Sequence, residues 1–183
     1  MIVWKRLDLP GHEAATVSLL RNRWNLSGVA LFVFEGEPCR LDYEIECDSG
    51  WTTRDARIAG QVGNAPVSLV LARTPEGEWL ANDVPQPAVH GCHDIDLGFS
   101  PSTNLLPIHR LKLRVGATAE VRAAWVRFPS FTLELLEQRY TRLTESTYLY
   151  ESAGGKFKRE LTVNADGFVV DYPGLWHEER GAE

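Results

Sequence analysis

Five side chains able to bind a metal or move a proton fall within seven positions: His90, Cys92, His93, Asp94 and Asp96. Together they offer nitrogen, sulfur and oxygen donors suited to a zinc-like ion. Strand geometry argues against that use. On an extended segment His90, Cys92, Asp94 and Asp96 share one side and His93 faces the other, and same-side neighbours stand ~6.5–7 Å apart, too far to converge without a bend. No metal is expected; Cys92 then reads as a core residue, with Asp94 and Asp96 bonded to Arg side chains or backbone donors. The same two carboxylates are also a candidate acid and base for glycoside hydrolysis, which places such a pair ~5–9.5 Å apart and raises one pKa toward neutrality. His12 and Glu13, after Leu9-Pro10-Gly11, form a loop rim that could contact a ligand or share in proton transfer. Ser100 lies in Gly98-Phe99-Ser100-Pro101-Ser102, which lacks the second glycine of a nucleophile elbow. No Gly-rich phosphate loop occurs, and no cofactor is expected.

A second chemistry is recognition. Arg54, Arg57, Arg110, Arg122 and Arg127 adjoin apolar or aromatic positions, with Trp51, Trp79 and Trp125 near them. The planar Arg fork suits phosphate or carboxylate, and a Trp face stacks on the apolar face of a sugar ring. The competing reading places Trp79 and Trp125 in the core.

The elements that position these residues read as strands. Cys39, Leu41, Tyr43, Ile45 and Cys47 alternate with Arg40, Asp42, Glu44, Glu46 and Asp48, the pattern of a half-buried strand. Upstream, Val29 to Phe34 is apolar on both parities and predicts a strand covered on both faces, joined to the next through Glu35-Gly36-Glu37-Pro38. Val67, Leu69 and Leu71 repeat the alternation, then Thr74-Pro75-Glu76-Gly77 turns into Trp79-Leu80. Val121, Ala123 and Trp125 continue it until Pro129, and the Ser152-Ala153-Gly154-Gly155 and Asn164-Ala165-Asp166-Gly167 turns punctuate the C-terminal part. One segment differs: Leu105 to Leu111, after polar capping residues, has helical spacing, and Pro107 requires the helix to start near Asn104 and be short. It is apolar nearly all round, which predicts burial. Between Pro10 and Asn25 a helix and a strand fit equally well.

The chain of 183 residues has 44% hydrophobic and 24% charged residues, the composition of an ordinary folded domain, and residues 1–183 are read as one domain. A formal net charge of −6 with scattered Lys and Arg excludes a nucleic-acid footprint. No apolar run reaches the ~20 residues of a membrane span, and the N-terminus reaches charge before any signal-length stretch develops. The expected location is the cytoplasm. Cys39 and Cys47, eight extended steps and roughly 26 Å apart, cannot pair, and all three cysteines read as small buried residues.

The segments Leu41-Asp42-Tyr43, Trp51-Thr52-Thr53-Arg54, Gly91 to Pro101, Thr103 to Ile108 and Tyr172-Pro173-Gly174-Leu175-Trp176 resemble the bacterial putative glycolipid-binding family, over about Arg6 to Trp176. The resemblance implies a spiral β-roll, a many-stranded sheet wrapped around one helix, related in shape to periplasmic lipoprotein-localisation factors that carry acyl chains. It implies glycolipid binding and carries over no catalytic motif.

The expected fold is therefore mainly β, a single many-stranded antiparallel sheet curled around one short helix. The expected function is binding of a glycolipid or other amphiphile in an apolar space, in the setting of glycolipid metabolism. Arg54, Asp94, Asp96 and Arg110 are placed at the polar mouth, with His12, Glu13, Tyr43, Trp51 and Arg127 as further ligand contacts. The competing reading is a hydrolase acting on a glycolipid or sugar derivative through acid and base carboxylates. A third is a scaffold presenting an edge to a partner, including a second copy in a homodimer.

Overall fold

The structure, a computed structural model, describes residues 1–180. Its strands fall into two runs. The first is β1 (Ile2–Arg6), β2 (Gly11–Leu20), β3 (Arg23–Phe34), β4 (Glu37–Cys47), β5 (Thr53–Val62), β6 (Ala65–Arg73), β7 (Trp79–Ala81) and β8 (Val84–Pro85). After β9 (Asp94–Leu97) and the helix α1 (Leu105–Leu111) come β10 (Thr118–Arg127), β11 (Thr132–Arg142), β12 (Thr147–Ser152), β13 (Phe157–Val163), β14 (Val169–Tyr172) and β15 (Trp176–Glu178). All belong to one 15-stranded sheet, in the order β8 back to β1, then β15 back to β9. Two meanders thus meet where β1 pairs with β15, Trp4 opposite Glu178 and Arg6 opposite Trp176. Neighbours are antiparallel except β9 and β10, which run parallel because the chain crosses over through α1 between them.

Local sequence explains the hairpins. Arg21-Asn22 and Glu35-Gly36 take positive φ at both central residues, the conformation that matches a two-residue turn to the twist of its strands. The segment from Pro10 to Asn25, ambiguous in sequence, is two strands. In β4 the alternation holds residue by residue: Cys39, Leu41, Tyr43, Ile45 and Cys47 are buried. The double cover expected for Val29 to Phe34 is not found, since Leu31 is 52% and Val33 38% exposed. Ala30 and Phe32 face the core, and the opposite face of β3 has no layer over it.

Both meanders close on α1. Leu105, Leu106, Pro107 and Ile108 are buried in one apolar core with residues from β1 to β15. Pro107 sits in the first turn, where its missing N–H leaves no helical bond broken. From the first meander, Trp51 after β4 stacks on His109 with ring centroids 4.2 Å apart, and Trp24 of β3 stacks on Trp51 at 4.3 Å. From the second, the Asp166 carbonyl lies 2.7 Å from His109 Nε2 and Tyr140 Oη donates to Asn104 Oδ1 at 2.8 Å. The segment before β9, at one end of the sheet, approaches the first meander without closing a ladder: Thr53 N–H of β5 donates to the His93 carbonyl and Gly91 N–H to the Gly77 carbonyl between β6 and β7, both at 2.9 Å.

Leu106→Ala would remove a fully buried wedge between the meanders; it should lower stability by about 2–5 kcal/mol in urea unfolding.

Candidate functional site

On the inner face of the first meander the ladder sets Trp4, Glu13, Ala30 and Leu41 in one row. The flanking rows are Gly11, Phe32 and Cys39 on one side and Ala15, Gly28 and Tyr43 on the other. An ionisable residue therefore stands where the pattern calls for an apolar one. Small neighbours make room for it. A Cβ at Gly28 would lie 2.4 Å from Tyr43 Oη, so the phenol occupies the place a side chain there would fill.

Glu13 is 1% exposed. Its Oε1 accepts from Tyr43 Oη at 2.6 Å and from Ser100 Oγ at 2.5 Å, and Ser100 Oγ also lies 2.7 Å from Ser102 Oγ. Its Oε2 is buried with no hydrogen-bond partner. Burial outweighs the bonds from Ser100 and Tyr43 and the nearby Arg6 charge, and pushes the carboxyl up to about 7. Tyr43 rises well above its ordinary value through its own burial and the Glu13 charge, so it remains a donor.

Arg6 is the cation of this node. Extending the β1 and β2 register one step beyond Lys5 and His12 sets Arg6 opposite Gly11, on Glu13's face and diagonal to it. Its guanidinium lies 4.7 Å from the Phe32 ring centroid and 5.0 Å from that of Trp176. Nε and Nη2 donate to Asp8 at 2.8 and 3.1 Å, while Nη1 is buried with no partner. A donor and an acceptor of opposite charge are thus left open on adjacent strands, an arrangement that suits a hydroxyl group, which can accept from one and donate to the other. A continuous aromatic cluster leads outward: Tyr43 packs on Phe99, and Phe99 on Phe128 and Phe131, with Phe34 and Phe131 both against Phe128. Phe34, Phe128 and Phe131 are only partly buried.

The other predicted residues are dispersed. Asp94, 1% exposed, is held by Arg110 through Nε at 3.0 and 3.2 Å and Nη2 at 2.5 Å. Burial raises its carboxyl despite these bonds. Asp96 accepts from Gln138 Nε2 at 2.7 Å, and burial pushes it up to about 6. Arg54 pairs with Asp48 at 2.7 Å, and Arg127 with Glu134 at 3.3 Å while lying over Trp125. Trp51 is committed to the stack against α1. Strand alternation sends His12 outward to Glu179, 3.1 Å away, and Glu13 inward, so the two do not act on one group. Trp79 is core; Trp125 is only partly buried. Burial pushes the Cys47 thiol up to about 12 and Cys92 to about 11, which makes both poor nucleophiles. Among the described residues no three His, Cys, Asp or Glu side chains come close enough to share a metal ion.

The structure joins Glu13 with Tyr43 and Asp94 with Arg110. Arg6 and Ser102 carry no signal in the sequence that marks them for a site, and Ser100 stands out there only as a nucleophile candidate. The available signal was parity, since Glu13 shares its face with Ala15 and Val17. The apolar space expected around the helix is occupied by core side chains. A groove of about 640 Å³ lies instead on the outer face, floored by the backbone of Ala15, Gly28 and Tyr43 and walled by Ala14, Val29 and Ala59 against Thr16, Ser27 and Arg57.

A family model described as "Putative glycolipid-binding" matches residues 1–178. A solved structure from Pseudomonas aeruginosa, described as a DUF1089 family protein, is 35% identical, covers 90% of this chain and 91% of its own, and superposes with a TM-score of 0.80. No curated protein matches the chain. No helix of the described residues is long and apolar enough to cross a membrane.

Two outcomes follow from the buried charges. Below about pH 4.5 the folded and unfolded chains both hold the Glu13 proton; as pH rises the unfolded chain releases it first, so stability should fall by up to about 3 kcal/mol through pH 7. Asp96 adds a loss of the same sign, and urea titrations of Glu13→Gln should show a flatter profile than the parent. Arg110→Ala should cost about 3–5 kcal/mol, because it strands Asp94 in the interior.

Proposed function

The chain belongs to the putative glycolipid-binding family, and from that premise we propose that it binds a glycolipid by its sugar, with one hydroxyl bridging Arg6 Nη1 and Glu13 Oε2. The observation that carries this reading is the pair of buried polar atoms left without partners in a node otherwise fully bonded. Most buried polar groups in folded proteins are paired, and an open donor beside an open acceptor is a template for an uncharged hydroxyl. The phenylalanine cluster from Phe99 to Phe34 supplies what the rest of an amphiphile needs, ring faces for the apolar side of a sugar and for the first methylenes of a tail. Entry requires the connection from Phe128 to Phe131, between β10 and β11, to move aside, since Glu13 is sealed at rest.

A hydrolytic reading is less favoured by the same geometry. Glu13 has the raised carboxyl of a general acid, but no second carboxylate is free to work with it: Asp8 is tied to Arg6, Asp94 to Arg110 and Asp96 to Gln138. Acid and base chemistry on a glycosidic bond needs both.

The test compares a short-chain alkyl glucoside with an alkyl amine oxide of the same tail, by calorimetry on the full chain. The glucoside should bind saturably and the amine oxide should not. Glu13→Gln should weaken glucoside binding about tenfold. Equal binding of the two detergents, or an unchanged affinity in Glu13→Gln, overturns the assignment.

A further inference from the structure

The seam where the segment before β9 meets β5 and the β6–β7 turn holds cations that the hydroxyl node does not use. Arg73 Nε donates to the Cys92 carbonyl at 2.7 Å and Nη1 to the Thr74 carbonyl at 3.5 Å. Its Nη2 lies 3.3 Å from where a Cβ of Gly77 would stand, and Arg122 Nη1 lies 3.9 Å from the corresponding point at Gly91. The two glycines touch, the Gly77 position being 3.4 Å from Gly91 Cα. Continuing the parallel ladder one step beyond Ala123 and Asp94 sets Arg122 beside His93. Thr53, next to Arg54, donates its N–H to the His93 carbonyl. Mutual repulsion registers in the side chains: burial and then Arg54 lower Arg73, and burial, Arg110 and Arg73 hold His93 below its ordinary value.

Two acids at this seam are engaged, while Glu137, Glu76 and Glu78 make no ion pair among the described residues. Asp48 is held by Arg54 and Asp94 by Arg110. Glu137 stands opposite Arg122 in the ladder, yet among the described residues neither Arg122 nor Arg73 has a carboxylate partner within ion-pair distance. His93 and Arg122 are exposed and Gly91 is half-buried, while Gly77 is buried against the Arg73 guanidinium and the Gly91 backbone.

We propose that this seam is an anion site for a phosphate group, received by Arg73 Nη2, Arg122 and His93. A planar carboxylate is satisfied by one guanidinium fork, whereas three donors arriving from β6, β10 and the segment before β9 suit a tetrahedral anion with several acceptor oxygens. The site is separate from Glu13 and stands whether or not a sugar binds there. The group is either carried by a lipid or free in solution, and the chemistry of recognition is the same.

The experiment titrates the isotope-labelled full chain with inorganic phosphate, following backbone amides, and in parallel measures sedimentation with neutral vesicles with and without phosphatidic acid. Saturable shifts centred on Gly77, Gly91 and His93 are expected. Arg122→Gln, at an exposed side chain with no hydrogen bond to lose, should weaken binding about tenfold, and Arg57→Gln, exposed on the outer face of β5, should leave it unchanged. Tighter association with phosphatidic-acid vesicles than with neutral ones assigns a lipid source; phosphate binding without vesicle association assigns a soluble one. Shifts that fail to saturate, or equal losses in Arg122→Gln and Arg57→Gln, overturn the site.

Discussion

The ladder between β1 and β15 holds two meanders in one sheet, and the remaining geometry depends on it. Each meander is built from local hairpins, but β1 and β15 lie more than 160 residues apart in sequence, so the entropy of closing that loop must be met before the ladder rewards it. The pairing sets Arg6 opposite Trp176 and so places the guanidinium between Phe32 of one meander and Trp176 of the other. It also brings the two sources of helix contacts, Trp51 and Asp166, to bear on the same residue, His109.

Against that frame the interior charges divide by how completely they are bonded. Asp94 and Arg110 answer each other in a forked pair, and breaking it would harm the fold more than any ligand would notice. Glu13 and Arg6 are each bonded on one side and open on the other. Keeping such groups dry is costly, and a sheet selected for stability alone would fill the row with valine or leucine. Their open atoms face the same interior, and the aromatic residues beside them reach the surface. Cost without local return is the observation on which the proposed hydroxyl contact rests.

Much of the fold could be read from residue order. The alternation from Cys39 to Cys47, the Glu35-Gly36 turn and the placement of Pro107 each specify local backbone by sterics and period alone. What alternation cannot say is which face receives a covering layer, and so the pattern marks Leu31 and Val33 as buried when only Ala30 and Phe32 are. The parallel pairing of β9 with β10 depends on a crossover whose direction no local residue encodes. The site was half legible. Glu13, Tyr43, Asp94 and Arg110 stood out by type, but their pairing rests on contacts such as Glu13 to Ser100, 87 positions apart, which periodicity does not carry. Arg6 drew no notice because an arginine near a chain end, beside Lys5 and Asp8, looks like a solvated one.

The close approach of Gly28 and Tyr43 has an evolutionary consequence. The phenol fills the volume a larger residue at 28 would need, and the absence of that residue is what lets the phenol reach Glu13. Neither position can drift alone: substitution at 28 evicts the hydroxyl, and loss of the hydroxyl leaves a hole above 28 together with a carboxylate short of one donor. The two sites are epistatic and should change as a unit with position 13, and since a Cβ at 28 would also lie 2.7 Å from the Ala14 carbonyl oxygen, a lineage that abandons the acid must shift β2 backbone as well before 28 can grow a side chain.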